Sequence, residues 1–281
     1  MARIDLHLHT CYSDGSLMPG EVVDLAHQAG VTALAITDHD IVDGIPHAME
    51  AAVPLGIEII PGVELSSHLD GQELHVLGYF FDWQDSVFRD HLAQQRLSRN
   101  VRIPQTIERL HALGLDLSED DVKAKAGSGS IGRPHVAQAL VDKGYVQDTR
   151  EAFDRYLKEG APAYVPRMLS DTRDVIAWIR HAGGVPVLAH PTWTRCRGEP
   201  LYRLCASLKE AGLLGLEVFY SSHNPRQTSR FLELAKRLNL LITGGSDFHG
   251  ATNPGIQVGR GKGNLKVPDT LLTPLRQAAR P

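Results

Sequence analysis

The sequence predicts an α/β fold, a distorted (β/α)7 barrel whose mouth is capped by a helical insertion. Three observations lead there. Seven short β-branched or apolar runs recur along the 281 residues, at about 3–8, 32–37, 57–63, 73–80, 185–189, 214–219 and 240–244, with helical periodicity after several of them. Alternation of strand and helix is the signature of a parallel α/β architecture. Histidines and carboxylates gather mostly at the C-terminal ends of these runs, the face on which such barrels keep their chemistry. Between residues 84 and 165 the strand rhythm stops, which marks the insertion.

In the first run, His7 and His9 alternate with Leu6 and Leu8, so both imidazoles point inward and the leucines face the helices. Helical patterns at 19–29 and 45–55 stop at Gly30 and Gly56, and those at 171–182 and 201–211 stop at Gly183 and Gly212, where a left-handed C-terminal residue suits glycine. A further helix spans 225–238. Glu64 follows Pro61-Gly62, where the third run ends and turns. His75 lies on the inward parity of the fourth run, opposite Leu74 and Val76. His190 ends the run Val187-Leu188-Ala189, with Pro191 fixing the loop after it. The glycine-rich stretch 244–264 reads as a functional loop because it carries Asp247 and His249. The expected division is a barrel of residues 1–83 and 166–281 and an insertion of residues 84–165. Within the insertion, helices are expected at 88–113, kinked or bounded at Pro104, and at 119–126, 134–143 and 149–157.

The bulk properties narrow the function classes. A net charge of −4 provides no global attraction to nucleic acid, although it allows a local basic pocket. Cys11, Cys196 and Cys205 form no CxxC pair, which argues against a disulfide framework and fits a reducing cytoplasm. The N-terminal residues enter a strand with neither a basic nor a long apolar leader region, so no secretory signal is expected. No apolar run approaches the ~20 residues of a membrane span.

The ligand-type residues carry the chemistry. Any single histidine among them is better explained by packing in the core than as a ligand. Together, so many buried charged groups would carry a large desolvation cost without a cation. Mixed imidazole and carboxylate donors suit zinc, manganese or iron better than calcium or magnesium. Closely spaced divalent ions would acidify a water, aim it at phosphorus, and stabilise the equatorial phosphoryl oxygens. Asp5, Asp38 and Asp40 read either as groups that orient the imidazoles or as helix and turn caps.

The motifs His-x-His-Thr-x-x-Ser-Asp-Gly at 7–15, Thr-Asp-His-Asp at 37–40, Pro-Gly-Val-Glu at 61–64, Ala-His-Pro at 189–191 and Gly-Ser-Asp-Phe-His at 244–249 together resemble the PHP (polymerase and histidinol phosphatase) family of metal barrels. The resemblance covers essentially the whole chain. It implies a trinuclear centre: His7, His9, Glu64 and Asp247 on one ion, Glu64, His75 and His190 on a second, and Asp14, His39 and His249 on a third. Some phosphatases of the family carry a histidine where Asp14 stands, so the carboxylate implies an altered third site. Two or three divalent ions are implied, with manganese the first choice and zinc, iron or magnesium the alternatives.

Within the family, Ile131-Gly132-Arg133-Pro134-His135, the stretch Glu217–His223 and the placement of the insertion most resemble nucleoside 3′,5′-bisphosphate phosphatases and the related 5′→3′ exoribonucleases. That likeness implies substrate contacts from Arg133, His135, Ser222 and His223, and a catalytic set of Asp247, Glu64 and His223, with a protonated His223 or His135 donating to the leaving 3′ oxygen. An Arg fork and imidazoles suit phosphate oxygens. The alternative for Arg133-Pro134-His135 is a helix start, and for His223 a loop residue ahead of the Asn224-Pro225 helix start.

The remaining candidates read as bystanders. Cys11 is expected to be a spectator, and His27, His47, His91, His111 and His181 surface or packing residues. Arg195 and Arg197 form either a basic rim or solvated charge pairs. The expected partner is a nucleotide or a short 5′-phosphorylated RNA, with no membrane and no obligate protein partner. Competing readings are a histidinol-phosphate phosphatase, a proofreading exonuclease acting in trans, and a regulatory module that binds metal without turnover. The last would show degenerate ligands, and none of the nine positions is empty.

Overall fold

A computed structural model describes residues 3–126 and 131–279. Its seven strands are β1 (Arg3–Leu8), β2 (Val31–Ile36), β3 (Glu58–Leu69), β4 (Gln72–Tyr79), β5 (Val185–Leu188), β6 (Gly215–Tyr220) and β7 (Leu241–Gly245), and they lie side by side in chain order. The ring closes just beyond β7, where Asp247 N donates to His7 O at 2.8 Å and His9 N to Phe248 O at 2.9 Å. Gly245 permits this approach, because a Cβ there would sit 2.3 Å from the Cβ of His7.

The sheet departs from the expected all-parallel order at one strand. β4 pairs antiparallel with both β3 and β5, while the remaining pairs are parallel. The cause is the two-residue turn Asp70-Gly71, with φ of 49° and 77°, the backbone of a tight hairpin. A second departure concerns Glu64. Pro61-Gly62 does not end β3, which runs on to Leu69 and places Glu64 within the strand.

Around the barrel lie α1 (Pro19–Gln28), α2 (Ile45–Ala52), α7 (Thr172–His181), α8 (Glu199–Glu210), α9 (Pro225–Arg237) and α10 (Leu272–Ala278). Gly30, Gly56, Gly183 and Gly212 all take positive φ, as their stop positions require. Leu8 joins Val22, Val23 and Leu34 in the cluster beneath α1 and α2, as its parity predicts. Leu6 belongs to a different cluster, with Ala33, Ala35, Leu77, Val187 and Leu275 of α10.

The segment between β4 and β5 holds α3 (Ser86–Ala112), α4 (Glu119–Ala126), α5 (Arg133–Asp142) and α6 (Thr149–Ala152), the last continued by a wider turn through Leu157. α3 passes through Pro104 as one helix rather than stopping there. At 1.5 Å per residue it is about 40 Å long, enough to serve two cores. Phe88 and Leu92 at its start pack in the barrel cluster with Val175 and Ile179. Ile103, Ile107 and Leu110 near its end join Leu117, Val136 and Leu140 in a cluster built entirely from residues 103–163.

Candidate metal centre

Every strand except β6 delivers between one and three ligand-type side chains, from itself or the loop after it, to a common point. His7 comes from β1, with His9 and Asp14 from the loop after it. His39 follows β2, Glu64 lies in β3 and His75 in β4. His190 follows β5, and Asp247 and His249 follow β7. Because β4 is reversed, its N-terminal half faces the barrel mouth, and His75 pairs with Ser66 beside Glu64.

Glu64 is the hub. Its Oε2 lies 3.1 Å from His7 Nε2, 3.1 Å from His9 Nε2 and 3.3 Å from His39 Nδ1. Its Oε1 lies 2.8 Å from both His75 Nδ1 and His190 Nε2. Asp247 Oδ1 lies 3.3 Å from His7 Nε2 and 3.2 Å from His9 Nε2, while Tyr220 donates its hydroxyl to Oδ2 at 2.8 Å. Asp14 Oδ1 is 3.3 Å from His249 Nε2, and Asp14 Oδ2 is 3.7 Å from His39 Nε2. Three clusters of suitably close donor atoms result: His7, His9, Glu64 and Asp247; His9, Asp14, His39 and His249; and His39, Glu64 and His75.

The donor set fits a cation by two tests. His9 Nε2 and Asp14 Oδ1 are buried without a hydrogen-bond partner among the described residues, although opposite-type atoms surround them. The spacings of 3.1–3.3 Å within the first cluster also match the roughly 3.3 Å edge of a tetrahedron with metal–ligand distances of about 2.0–2.1 Å.

Charges at the centre are mutually dependent. Burial alone would lower the pKa of His75, but Glu64 and Glu73 outweigh it and hold it at about 10. Burial is likewise outweighed by Asp14 and Asp247 at His249, which is also held at about 10. Burial would raise Glu64, Asp14 and Asp247, yet the facing imidazoles bring all three well below the usual carboxylate range.

Backbone strain marks the same places. Asp40, His190 and Asp247 take positive φ of 57°, 24° and 57°, unusual for residues with a side chain. The loops must turn sharply there to aim the groups at the centre.

The supporting layer differs from expectation. Among the described residues, Asp5 and Asp38 make no hydrogen bond to an imidazole. Asp5 accepts from the backbone N–H of Ser246 at 2.8 Å and of Gly259 at 2.7 Å, which ties β1 to the glycine-rich loop. Burial pushes its carboxyl up to about 6. Asp38 accepts from Thr10 N, Thr10 Oγ1 and Ser13 Oγ at 2.6–2.7 Å and so fixes the loop that carries Asp14. Asp40 accepts from Ser66 N at 3.1 Å and from Arg167 at 2.9 Å. The caps-and-turns alternative therefore describes Asp5 and Asp38 better, while Asp40 forms a buried ion pair with Arg167.

The group that orients imidazoles is Glu217, whose role the sequence reading missed. Its Oε1 lies 2.8 Å from His7 Nδ1, and its Oε2 accepts from His190 N at 2.7 Å. A lone carboxylate between Leu216 and Val218 in an apolar strand was the available signal.

Above the centre opens a cavity of about 620 Å³ lined by seven of the nine ligand-type residues (all but His7 and His9), by Arg102, Arg133, Arg150, Lys158 and Arg167, and by Phe153 and Trp193. Arg133 and Ser222 are on its lining. His135 and His223 do not lie on its lining. His135 is 3% exposed, and its Nδ1 accepts from Gly132 N at 2.9 Å, so it caps the start of α5. His223 is buried, with Nδ1–H donating to Val218 O at 2.9 Å, and burial lowers its pKa. Its Nε2 is buried with no hydrogen-bond partner among the described residues, off the cavity lining.

Arg102 was not singled out by sequence, yet it is 6% exposed, and its Nε and Nη2 have no hydrogen-bond partner among the described residues. Burial and the facing Arg133 push its guanidinium down to about 10. Buried donors without acceptors at a cavity wall provide a receptacle for an anion.

The bystanders keep to their expected places. Cys11 faces Met18, and burial raises its thiol, which makes a thiolate ligand or nucleophile unfavourable. His91 stacks on Trp178 and His47 on Tyr12, while His111 bonds Leu117 O. Arg195 pairs with Glu159, and Arg197 binds backbone oxygens of its own loop.

A family model described as PHP domain matches residues 5–164. A 5′-3′ exoribonuclease of Haemophilus influenzae is 35% identical over 247 residues, covering 88% of this chain and 90% of its own. A 3′,5′-nucleoside bisphosphate phosphatase of Chromobacterium violaceum is 36% identical over 260 residues, covering 92% of this chain and 91% of its own. Among solved structures, an amidohydrolase from Chromobacterium violaceum with bound sulfate and no metal aligns with a TM-score of 0.91 at 34% identity, over 99% of this chain and 98% of that one.

Proposed function

This chain belongs to the PHP domain family, and on that premise we propose that it is a metal-dependent phosphoesterase that removes the 3′-phosphate of nucleoside 3′,5′-bisphosphates and trims short 5′-phosphorylated RNA from its 5′ end. The observation that carries the reading is one cavity with two kinds of wall. Seven of the nine ligand-type side chains, all but the buried His7 and His9, line its floor, and the partnerless donors of Arg102, with Arg133, stand at its side. A substrate with two phosphates uses both. A simple monoester such as histidinol phosphate uses only the first, and no feature of the site favours it.

In this reading His7, His9, Glu64 and Asp247 would hold one ion, Glu64, His75 and His190 a second, and Asp14, His39 and His249 a third, with manganese proposed as the working metal. When bound, such ions supply positive charge to the phosphoryl oxygens and acidify water at neutral pH. The chain itself does the positioning. Arg102 and Arg133 receive the 5′-phosphate, which brings the next phosphate over Glu64 and Asp247. Water adds to phosphorus, the bond from phosphorus to O3′ breaks, and the water's proton ends on O3′. With RNA the products are a 5′-mononucleotide and a shortened strand that again bears a 5′-phosphate. Among the described residues no helix is long and apolar enough to cross a membrane, and all three cysteines are free, which supports our placement in the cytoplasm.

The decisive assay is phosphate release by manganese-loaded protein from adenosine 3′,5′-bisphosphate beside 3′-AMP, 5′-AMP and histidinol phosphate. Preference for the bisphosphate, with 5′-AMP as product, is expected. Arg133→Ala should lower kcat/KM for the bisphosphate by roughly 10- to 100-fold, the range of a lost hydrogen bond to a charged group, and harm 3′-AMP far less. Equal loss on both would remove Arg133 from the phosphate pocket.

Metal loading should also be coupled to protons. His75 and His249, held at about 10, are protonated at neutral pH in the metal-free protein. A metal ion must displace those protons, so apparent affinity should rise with pH, and loading should release protons. Titration calorimetry in two buffers of different ionisation enthalpy reads this directly. Identical heats in both would contradict it.

A further inference from the structure

A second arm of about 210 Å³ branches from the main cavity. The two share Glu73, His75, Arg133, Glu159, His190 and Trp193, so the junction lies beside the candidate metal centre. Trp193 stands at this junction and is 60% exposed, an unusual state for an indole. One side of its ring meets His190, with centroids 4.1 Å apart.

Its loop is held firmly. Trp193 N donates to His190 O at 2.8 Å, Thr194 Oγ1 donates to Pro191 O at 3.0 Å, and Arg197 donates to Thr192 O at 2.7 Å. Arg195 N also donates to Gln72 Oε1 at 2.8 Å, anchoring the loop to the start of β4. A rigid, exposed aromatic surface loses little entropy when a planar ring stacks on it. Arg133 and Arg195 flank it in the same arm. The ion pair of Arg195 with Glu159 is solvent-exposed and therefore weak enough to yield to a phosphate.

We propose that this arm receives the RNA strand beyond the scissile phosphate, with the second nucleobase stacked on Trp193 and Arg195 beside the following phosphate. The proposal rests on the phosphoesterase reading above and adds what that reading lacks, a surface that tells an oligonucleotide from a mononucleotide. A nucleoside bisphosphate has no second base and cannot use it. Base stacking on an aromatic ring is sequence-tolerant, which suits an enzyme that trims whatever base comes next.

The test compares kcat/KM for a 5′-phosphorylated pentaribonucleotide and for adenosine 3′,5′-bisphosphate in wild type, Trp193→Ala and Trp193→Phe. For Trp193→Ala the ratio of pentanucleotide to bisphosphate should fall by roughly 5- to 100-fold, chiefly through KM, which is the span of one stacked base. Trp193→Phe should restore most of it. Quenching of tryptophan fluorescence when the pentanucleotide is added to metal-free protein should be present in wild type and lost in Trp193→Phe, which leaves Trp83 and Trp178 as controls. Equal loss on both substrates would overturn the proposal and reduce Trp193 to a support for His190. An unchanged ratio, or a wild type that hydrolyses the bisphosphate but not the pentanucleotide, would overturn it too while leaving the phosphatase reading intact. A wild type that turns over neither ester would remove the underlying reading itself.

Discussion

Asp247→Asn is expected to lower phosphoester turnover by at least ~1,000-fold on every substrate, because the stabilisation at stake is several kcal/mol and each 1.36 kcal/mol is about tenfold. The side chain sits where three imidazoles meet, with Oδ1 3.3 Å from His7, 3.2 Å from His9 and 3.6 Å from His249. Asparagine keeps the shape but loses the charge, and one of its two terminal atoms becomes a donor. Either orientation spoils a contact. If the amide nitrogen faces Tyr220, it meets a hydroxyl that now donates to Asp247 Oδ2 at 2.8 Å. If it faces the centre, it presents hydrogens where a cation needs lone pairs. Steady-state assays over a range of manganese concentrations, with circular dichroism to verify folding, provide the check. Turnover within tenfold of wild type at saturating metal would take Asp247 out of the centre.

Glu217→Gln is expected to weaken metal binding and turnover together by ~10- to 100-fold, the usual cost of losing a partner that orients a ligand. Glu217 is fully buried and uses both oxygens as acceptors, one for the His7 ring and one for the backbone of His190. The first contact fixes which nitrogen of His7 turns toward Glu64 and Asp247. The second holds the strained backbone of His190, whose φ is 24°. Glutamine can satisfy one of these contacts but not both, since its nitrogen cannot accept. Metal titration by calorimetry should therefore show weaker binding, and added metal should restore part of the activity. Wild-type affinity in the variant would mean that His7 and His190 are oriented without Glu217.

How much of this was legible in the chain differs from residue to residue. The strand starts and ends were readable to within a residue or two, apart from the end of β3, because period-2 alternation and glycine stops are local properties. The reversal of β4 was also written locally, in Asp70-Gly71, a dipeptide that favours a tight hairpin. The strand–helix alternation elsewhere in the chain points instead to parallel strands. Arg102 was not legible, since an arginine on an amphipathic helix looks the same whether it faces water or a cavity. His135 and His223 show the opposite error. Their motifs suggest contact with substrate, yet Nδ1 of each ring is tied to a nearby backbone group and neither ring lies on the cavity lining.

The sequence by itself determined the barrel, the order of its elements and the set of imidazoles and carboxylates that point inward, because each follows from backbone period and residue type over a few positions. Only the tertiary structure decided which of those groups share an atom's reach and which arginines look into the cavity. His7 and Glu217 are separated by 210 positions, and Glu64 and His190 by 126. Contacts at such range depend on how the sheet closes and how α3 carries the inserted helices against the mouth, and no periodicity along the chain encodes either.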